Sequence, residues 1–217
     1  MYYKPKPLVV VPMEDNDKID TEANWKEFAK LLRATNREGY DQLLQTLGGK
    51  TDFKTAPASH KHHLAIKGGL CQHSLNVNKY ALHLCTLVGI SLPSDSITIA
   101  SLLHDLCKIH FYKIKAELDK EHKDKTGDWR KREMYVVEDK FPMGHGEKSV
   151  ILAQQYGIKL NIDEALAVRW HMGFSSPDSQ SMAFKQAWSN PLVQIVAMAD
   201  QLAVTYEDNV FMKKKDV

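Results

Sequence analysis

His104 and Asp105 stand side by side in an apolar run, residues 97–108, that reads Ile-Thr-Ile-Ala-Ser-Leu-Leu-His-Asp-Leu-Cys-Lys. An imidazole and a carboxylate buried together need a strong partner, because an isolated carboxylate taken out of water shifts its pKa or recruits a cation. Two further groups sit in similar settings. His73 falls on an apolar stripe with Leu70, Val77, Ala81 and Leu84, and Asp200 lies beside a stripe of Ile195, Val196, Ala199 and Leu202. Seen alone, His73 reads as a hydrogen-bonded core histidine and Asp200 as the buried partner of a basic residue. Seen together on three helices, the four groups are resolved by one divalent metal ion.

Two imidazoles with two carboxylates suit Mn, Fe, Zn, Co or Ni, with Mg admissible, and leave coordination positions for water. Such an ion generates a metal-bound hydroxide near neutral pH and polarises a phosphoryl oxygen, so phosphate-ester hydrolysis is the expected chemistry. Lys108 follows His104 by one helical turn on the same face, where its ammonium can meet a bound phosphate. A surface lysine at a helix end is the plainer alternative.

Positioning these groups falls to helices. Residues 1–20 hold three prolines and read as an extended arm. From Thr21, which can cap, Trp25, Phe28, Leu31 and Leu32 mark a first helix. A second spans about residues 40–47 and stops at Gly48-Gly49. Residues 50–69 read as a loop feeding a helix over 70–88 that carries His73. The helix with His104-Asp105 opens at Ser94 or Asp95 after Pro93. Residues 110–115 and 133–138, rich in aromatic and β-branched types, predict a hairpin around Thr126-Gly127-Asp128. Helices resume over 147–156, 162–171 and 181–188, and a last long one follows Asn190-Pro191.

Composition narrows the field. The 217 residues allow one well-buried core, and 29 basic against 27 acidic residues give a net charge of +2. No electrostatic footprint demands nucleic acid or an anionic membrane, although nucleic acid stays a possible partner. Cys71, Cys85 and Cys107 lie among apolar residues and read as reduced thiols, and no apolar run has membrane-spanning length, which together predict a cytoplasmic protein with no membrane partner. The oligomeric state is not legible.

With His73, His104-Asp105 and Asp200 in that order on a mainly α scaffold, the chain resembles the HD-domain metal-dependent phosphohydrolases over about residues 51–210. The resemblance implies an HD-domain helical bundle with a small β-hairpin excursion. Residues 1–50 then form an N-terminal arm and short helices, and 211–217 a C-terminal tail. His145 and His171 stand in the order that binuclear members use for a second metal, with the Asp of the pair, here Asp105, bridging two ions. From the residues alone, His145 between two glycines is equally a phosphate contact or a cap. His171 is equally a cation placed at a helix C-terminus.

A narrower likeness lies in residues 57–74, where a histidine-rich stretch and Gly68-Gly69-Leu70 lead into His73. It is similar to the segment before the first metal histidine of HD-domain 3′→5′ exoribonucleases. Those enzymes also carry a β-barrel for nucleic acid, for which residues 1–50 are too short and too helical. His63 on this loop is a candidate substrate contact and general acid, while His60, His83, His110 and His122 read as surface or packing residues. Glu147 is expected to favour a helix N-terminus rather than orient His145.

The expected function is a phosphohydrolase, monoesterase or diesterase, using one or two divalent ions on a nucleotide or related small phosphate ester. A 3′→5′ exonuclease on single-stranded nucleic acid is the alternative reading. A non-catalytic, metal-stabilised nucleotide-binding module is the second.

Overall fold

The computed structural model describes residues 10–11, 19–123, 127 and 129–208. Most of the expected N-terminal arm, Thr126 and Asp128 of the expected hairpin turn, and the expected tail at 211–217 lie outside the described residues. The protein is mainly α, with eight α-helices and one small sheet among the described residues. Strand β1 is Val10–Val11, and α1 is Thr21–Ala34. Asp20, not Thr21, caps α1 by accepting from the Ala23 amide at 2.9 Å. Helix α2, Tyr40–Gly49, runs through both glycines instead of stopping before them. Its Gly48 lies so close to the Trp25 ring that a Cβ there would come within 2.7 Å.

Helix α3 is Gly69–Val88, bounded by Gly68 and Gly89 in left-handed conformations, and α4 is Ser94–Leu103. Two strands follow, β2 at Tyr112–Lys123 and β3 at Trp129–Val137. The chain then forms α5 (His145–Gln155), α6 (Ile162–Trp170), α7 (Met182–Ala187) and α8 (Pro191–Leu202). No described helix is long and apolar enough to cross a membrane. The three cysteines are free and buried.

Among the described residues the core has two large apolar clusters, with α3 and α4 contributing to both, and a small third one of Ile19, Ala58, Leu64 and Ile66. Phe28, Leu32, Leu43 and Leu47 of α1 and α2 pack with Leu70, Leu102 and Leu103, while Val77 and Ala100 pack with Val168, Phe184, Val193 and Val196. His73 and His104 therefore sit where the two clusters meet, walled from solvent by side chains of several helices.

Strand β2 pairs antiparallel with β3, from Tyr112↔Val137 to Leu118↔Lys131, and the pairing shifts before Lys123↔Trp129. The strands are longer than the short segments expected from sequence. The alternation Lys113-Ile-Lys-Ala-Glu-Leu118 continues the period of two through residues whose charge makes them look like loop. β1, expected as part of an extended arm, pairs parallel with β3 through Val10↔Lys131 and Val11↔Arg132.

One buried ion pair ties the α1–α2 connection to α6. Arg37 grips the fully buried Glu164 carboxylate with two hydrogen bonds of 2.7 Å, and Ser96 Oγ donates to the same group at 2.7 Å. Removing the guanidinium leaves a buried carboxylate short of its cation. Arg37→Ala is therefore expected to cost about 3 kcal/mol in urea denaturation. Lys30→Ala, at the exposed Lys30–Glu27 pair, is expected to change nothing measurable.

Candidate metal centre

The His104-Asp105 pair does not continue its helix, contrary to the expectation from the apolar run. α4 ends at Leu103, His104 is its C-terminal cap, and Asp105 lies at φ −109°, ψ 22° before a 3-10 turn at Leu106–Lys108. On an unbroken helix, adjacent side chains diverge by about 100° and could not both face one point. The break turns both inward.

Six side chains converge there, from α3, the α4 end, the start of α5, the end of α6 and α8. Asp105 is the hub, and its two oxygens look in different directions. Oδ2 lies 3.6 Å from His73 Nε2 and 3.4 Å from His104 Nε2. Oδ1 lies 3.2 Å from His145 Nε2 and 3.5 Å from His171 Nε2. Asp200 Oδ1 stands 3.1 Å from His73 Nε2, which is itself 3.2 Å from His104 Nε2. His145 and His171 are brought together because α5 begins hard against the end of α6. A Cβ on Gly146 would come within 2.0 Å of the Arg169 carbonyl oxygen, so only glycine fits.

The imidazole orientations carry chemical information. His104 Nδ1 is 2.7 Å from the Ser101 carbonyl, and His171 Nδ1 is 2.8 Å from the Val168 carbonyl. A carbonyl only accepts, so each Nδ1 carries a proton, which leaves Nε2 as the ring atom directed inward to act as a ligand. His171 Nε2 is buried and has no hydrogen-bond partner. These nitrogens thus face a carboxylate and one another, and a proton on His73 Nε2 cannot serve Asp200 and His104 together. A cation between them satisfies every atom. Three overlapping sets can each hold a metal ion: His73, His104 and Asp105; His104, His171 and Asp200; and Asp105, His145 and His171.

Electrostatics follow the same division. Burial pushes His104 below its ordinary pKa against the pull of Asp105, keeping the ring neutral. Burial alone would raise Asp105, but the Lys108 ammonium outweighs it and holds the carboxyl well below its usual range. Asp200 is held down in the same way, burial being outweighed by the hydrogen bond and charge of His73. Lys108 lies 2.6 Å from Asp105 Oδ2, an ion pair that depends on the 3-10 turn. Burial disfavours its charge, yet Asp105 more than compensates, and Lys108 stays an ammonium above its ordinary pKa.

His63 is half-buried, its ring centroid 5.1 Å from that of His73, one layer outside the six. His145 is the open side, with 35% of its side chain exposed. Glu147 is in the first turn of α5 and pairs with Arg169, so its carboxylate is directed to α6.

Two neighbours escaped the sequence reading. Tyr112 adjoins Lys108, and burial, partly offset by that ammonium, raises its phenol to about 12, so it stays neutral. Its place at the start of a strand after Phe111 was the only signal. Lys148 is buried, 2.6 Å from Asp139 and 5.0 Å from the Phe111 ring centre, and fixes the foot of the hairpin against α5 beside His145. In sequence it passes for a surface helix lysine.

Comparison with known proteins agrees with this geometry. The family model described as HD domain matches residues 70–205, a span that includes all six convergent side chains. No curated protein and no solved structure matches the chain.

Proposed function

Because the chain belongs to the HD domain family, we propose that it is a metal-dependent phosphohydrolase that cleaves a phosphate ester of a nucleotide or related small molecule. In this reading His73, His104, Asp105 and Asp200 hold one divalent ion. His145 and His171 hold a second, with Asp105 shared between the two. The observation that carries the reading is the buried, unpartnered Nε2 of His171, aimed at Asp105 Oδ1 while its Nδ1 proton is committed to Val168.

A bound divalent ion would supply an acidified water and a polarised phosphoryl oxygen. The chain's own residues do the rest. Asp105 offers one oxygen to each histidine group and would hold the ions between them. Lys108 holds a permanent positive charge beside it and is placed to balance charge developing on the phosphoryl oxygens. His63, outside the ligand set and partly accessible, is placed to protonate a leaving oxygen. The mixed nitrogen and oxygen donors favour Mn, Fe, Zn, Co or Ni over Mg.

The test is hydrolysis of bis(p-nitrophenyl) phosphate and of a mononucleotide panel by protein stripped with a chelator and then reloaded. Stripping should lower the rate by about 100-fold or more, and reloading should restore it. Equal rates before and after stripping, or no hydrolysis by the reloaded protein, would reject the reading.

A further inference from the structure

Strand β2 is an edge of the sheet, whose order is β1-β3-β2, and its outer side has no partner strand among the described residues. Residues 113–118 are all exposed, Ile114 at 51% and Leu118 at 39%. A regular edge strand with apolar side chains in solvent is a template for pairing with another chain, and lysines are the usual protection against it. Here the order of the charges points the other way. Residues 113–119 read Lys-Ile-Lys-Ala-Glu-Leu-Asp, a sequence antisymmetric in charge about Ala116. Lysines at 113 and 115 are mirrored by acids at 119 and 117, and Ile114 is mirrored by Leu118. An edge guarded by lysine alone repels its own copy in every register, whereas this one complements its own copy in one.

The backbone favours the same register. The Glu138 amide donates to the Phe111 carbonyl at 2.9 Å, extending the pairing of Tyr112 with Val137. Phe111 is therefore in a hydrogen-bonded pair and, by the alternation of an antiparallel ladder, so are Lys113, Lys115 and Glu117. The amides and carbonyls of Ile114, Ala116 and Leu118 turn to the open edge.

We infer that two copies of the chain join β2 to β2 antiparallel, with Ala116 opposite Ala116 on a two-fold axis, so that the two small sheets become one. Ile114 then faces Leu118 of the second copy and Lys115 faces its Glu117, each contact occurring twice by symmetry. The outward residues Ile114, Ala116 and Leu118 close about six N–H···O bonds between the strands. Their side chains share one face of the joined sheet and cover one another's apolar surface. On the other face Glu117 stands between Arg132, opposite it in its own chain, and Lys115 of the second copy. Lys115 has charge to offer there, because it shares the single Glu138 carboxylate, 3.4 Å away, with Lys113. A shift of one residue would set outward backbone groups against inward ones. A shift of two puts Glu117 opposite Glu117 in one direction and Lys115 opposite Lys115 in the other, and like charges directly opposite are destabilising.

Sedimentation velocity of the full chain from about 1 to 200 µM, in chelator and without substrate, follows association independently of any hydrolysis. A single strand pair is a small interface, so the wild type should pass from monomer to dimer with Kd on the order of 10 µM. Lys115→Glu and Glu117→Lys each set like charges opposite one another in the dimer, and each should weaken it at least about tenfold. The double variant Lys115→Glu/Glu117→Lys regains opposite charges and should return to within about threefold of wild type. An equimolar mixture of the two single variants should form a heterodimer, since each supplies the charges that the other lacks. Ala116→Pro removes the outward amide at the centre while leaving the β2–β3 bonds in place, and should abolish the dimer with an unchanged circular dichroism spectrum.

A wild type that stays monomeric throughout, a dimer indifferent to Glu117→Lys and Ala116→Pro, or single variants that do not associate on mixing would overturn the inference.

Discussion

Asp105→Ala is expected to lose phosphoesterase activity by at least about 10³-fold, on the order of 4 kcal/mol of transition-state stabilisation. The size of the loss follows from the position of the carboxylate. His73 and His104 face one of its oxygens and His145 and His171 the other, so a single truncation disconnects both histidine groups. Each of those histidines, truncated singly, leaves a three-ligand set that still contains Asp105, whereas without Asp105 only the set of His104, His171 and Asp200 remains and His73 and His145 belong to none. Asp105→Asn keeps the side-chain volume and removes the charge. It should fall nearly as far, which separates loss of the anion from loss of packing. Rates of bis(p-nitrophenyl) phosphate hydrolysis, with circular dichroism to show that each variant is folded, decide the matter. Activity within tenfold of wild type in both variants would remove Asp105 from the chemistry.

The second large effect concerns Lys108 and runs through stability as well as rate. Its ammonium, 2.6 Å from Asp105 Oδ2, is the cation that compensates this buried carboxylate when no metal is bound. Lys108→Met in metal-free protein is expected to cost about 3 kcal/mol near neutral pH, because the carboxylate is left buried without its main partner. The pH dependence has a definite sign. In the wild type Asp105 is held below its usual range, so its contribution is fully present above the unfolded value of about 3.9 and is lost only as pH falls through the depressed folded value. In the variant, burial is opposed less strongly and the carboxyl pKa rises. Its ionisation then destabilises the fold as pH rises above the unfolded value of about 3.9, so the deficit should widen with pH from about 4 upward until the raised folded pKa is passed. Metal should reverse it. An ion that binds only the folded state stabilises by mass action, and the variant no longer offers an ammonium competing for Oδ2, so the metal-induced rise in Tm should exceed that of wild type. Urea titrations at three pH values, with and without metal, check this. A deficit that stays constant with pH, or a smaller metal-induced rise, would show that Lys108 is not the stand-in cation.

Much of this arrangement is legible in the sequence because burial leaves a periodic mark. His73 and Asp200 stand out as polar groups beside apolar stripes at helical spacing, and Gly68, Gly89 and Pro191 mark helix ends for conformational reasons that hold in any context. The local geometry at His104-Asp105 is not legible. The apolar run continues through Leu106 and Cys107, so nothing in the pattern announces that the helix stops at Leu103. The Lys108–Asp105 contact depends on that same break and is hidden with it. β1 is invisible for a different reason: a two-residue parallel pairing is stabilised by its tertiary partner and not by any propensity of Val10 and Val11. The Lys148–Asp139 pair joins a helix to the foot of a hairpin across an irregular segment, where side-chain periodicity gives no guidance.

The proposed two-ion centre, with Asp105 between the ions, is decided by counting bound metal by plasma emission on dialysed wild type, His145→Ala and Asp105→Ala. Wild type is expected to hold about two divalent ions per chain, His145→Ala about one, and Asp105→Ala well under one. No bound metal in the wild type, or the same metal content in all three proteins, would contradict a centre built around Asp105.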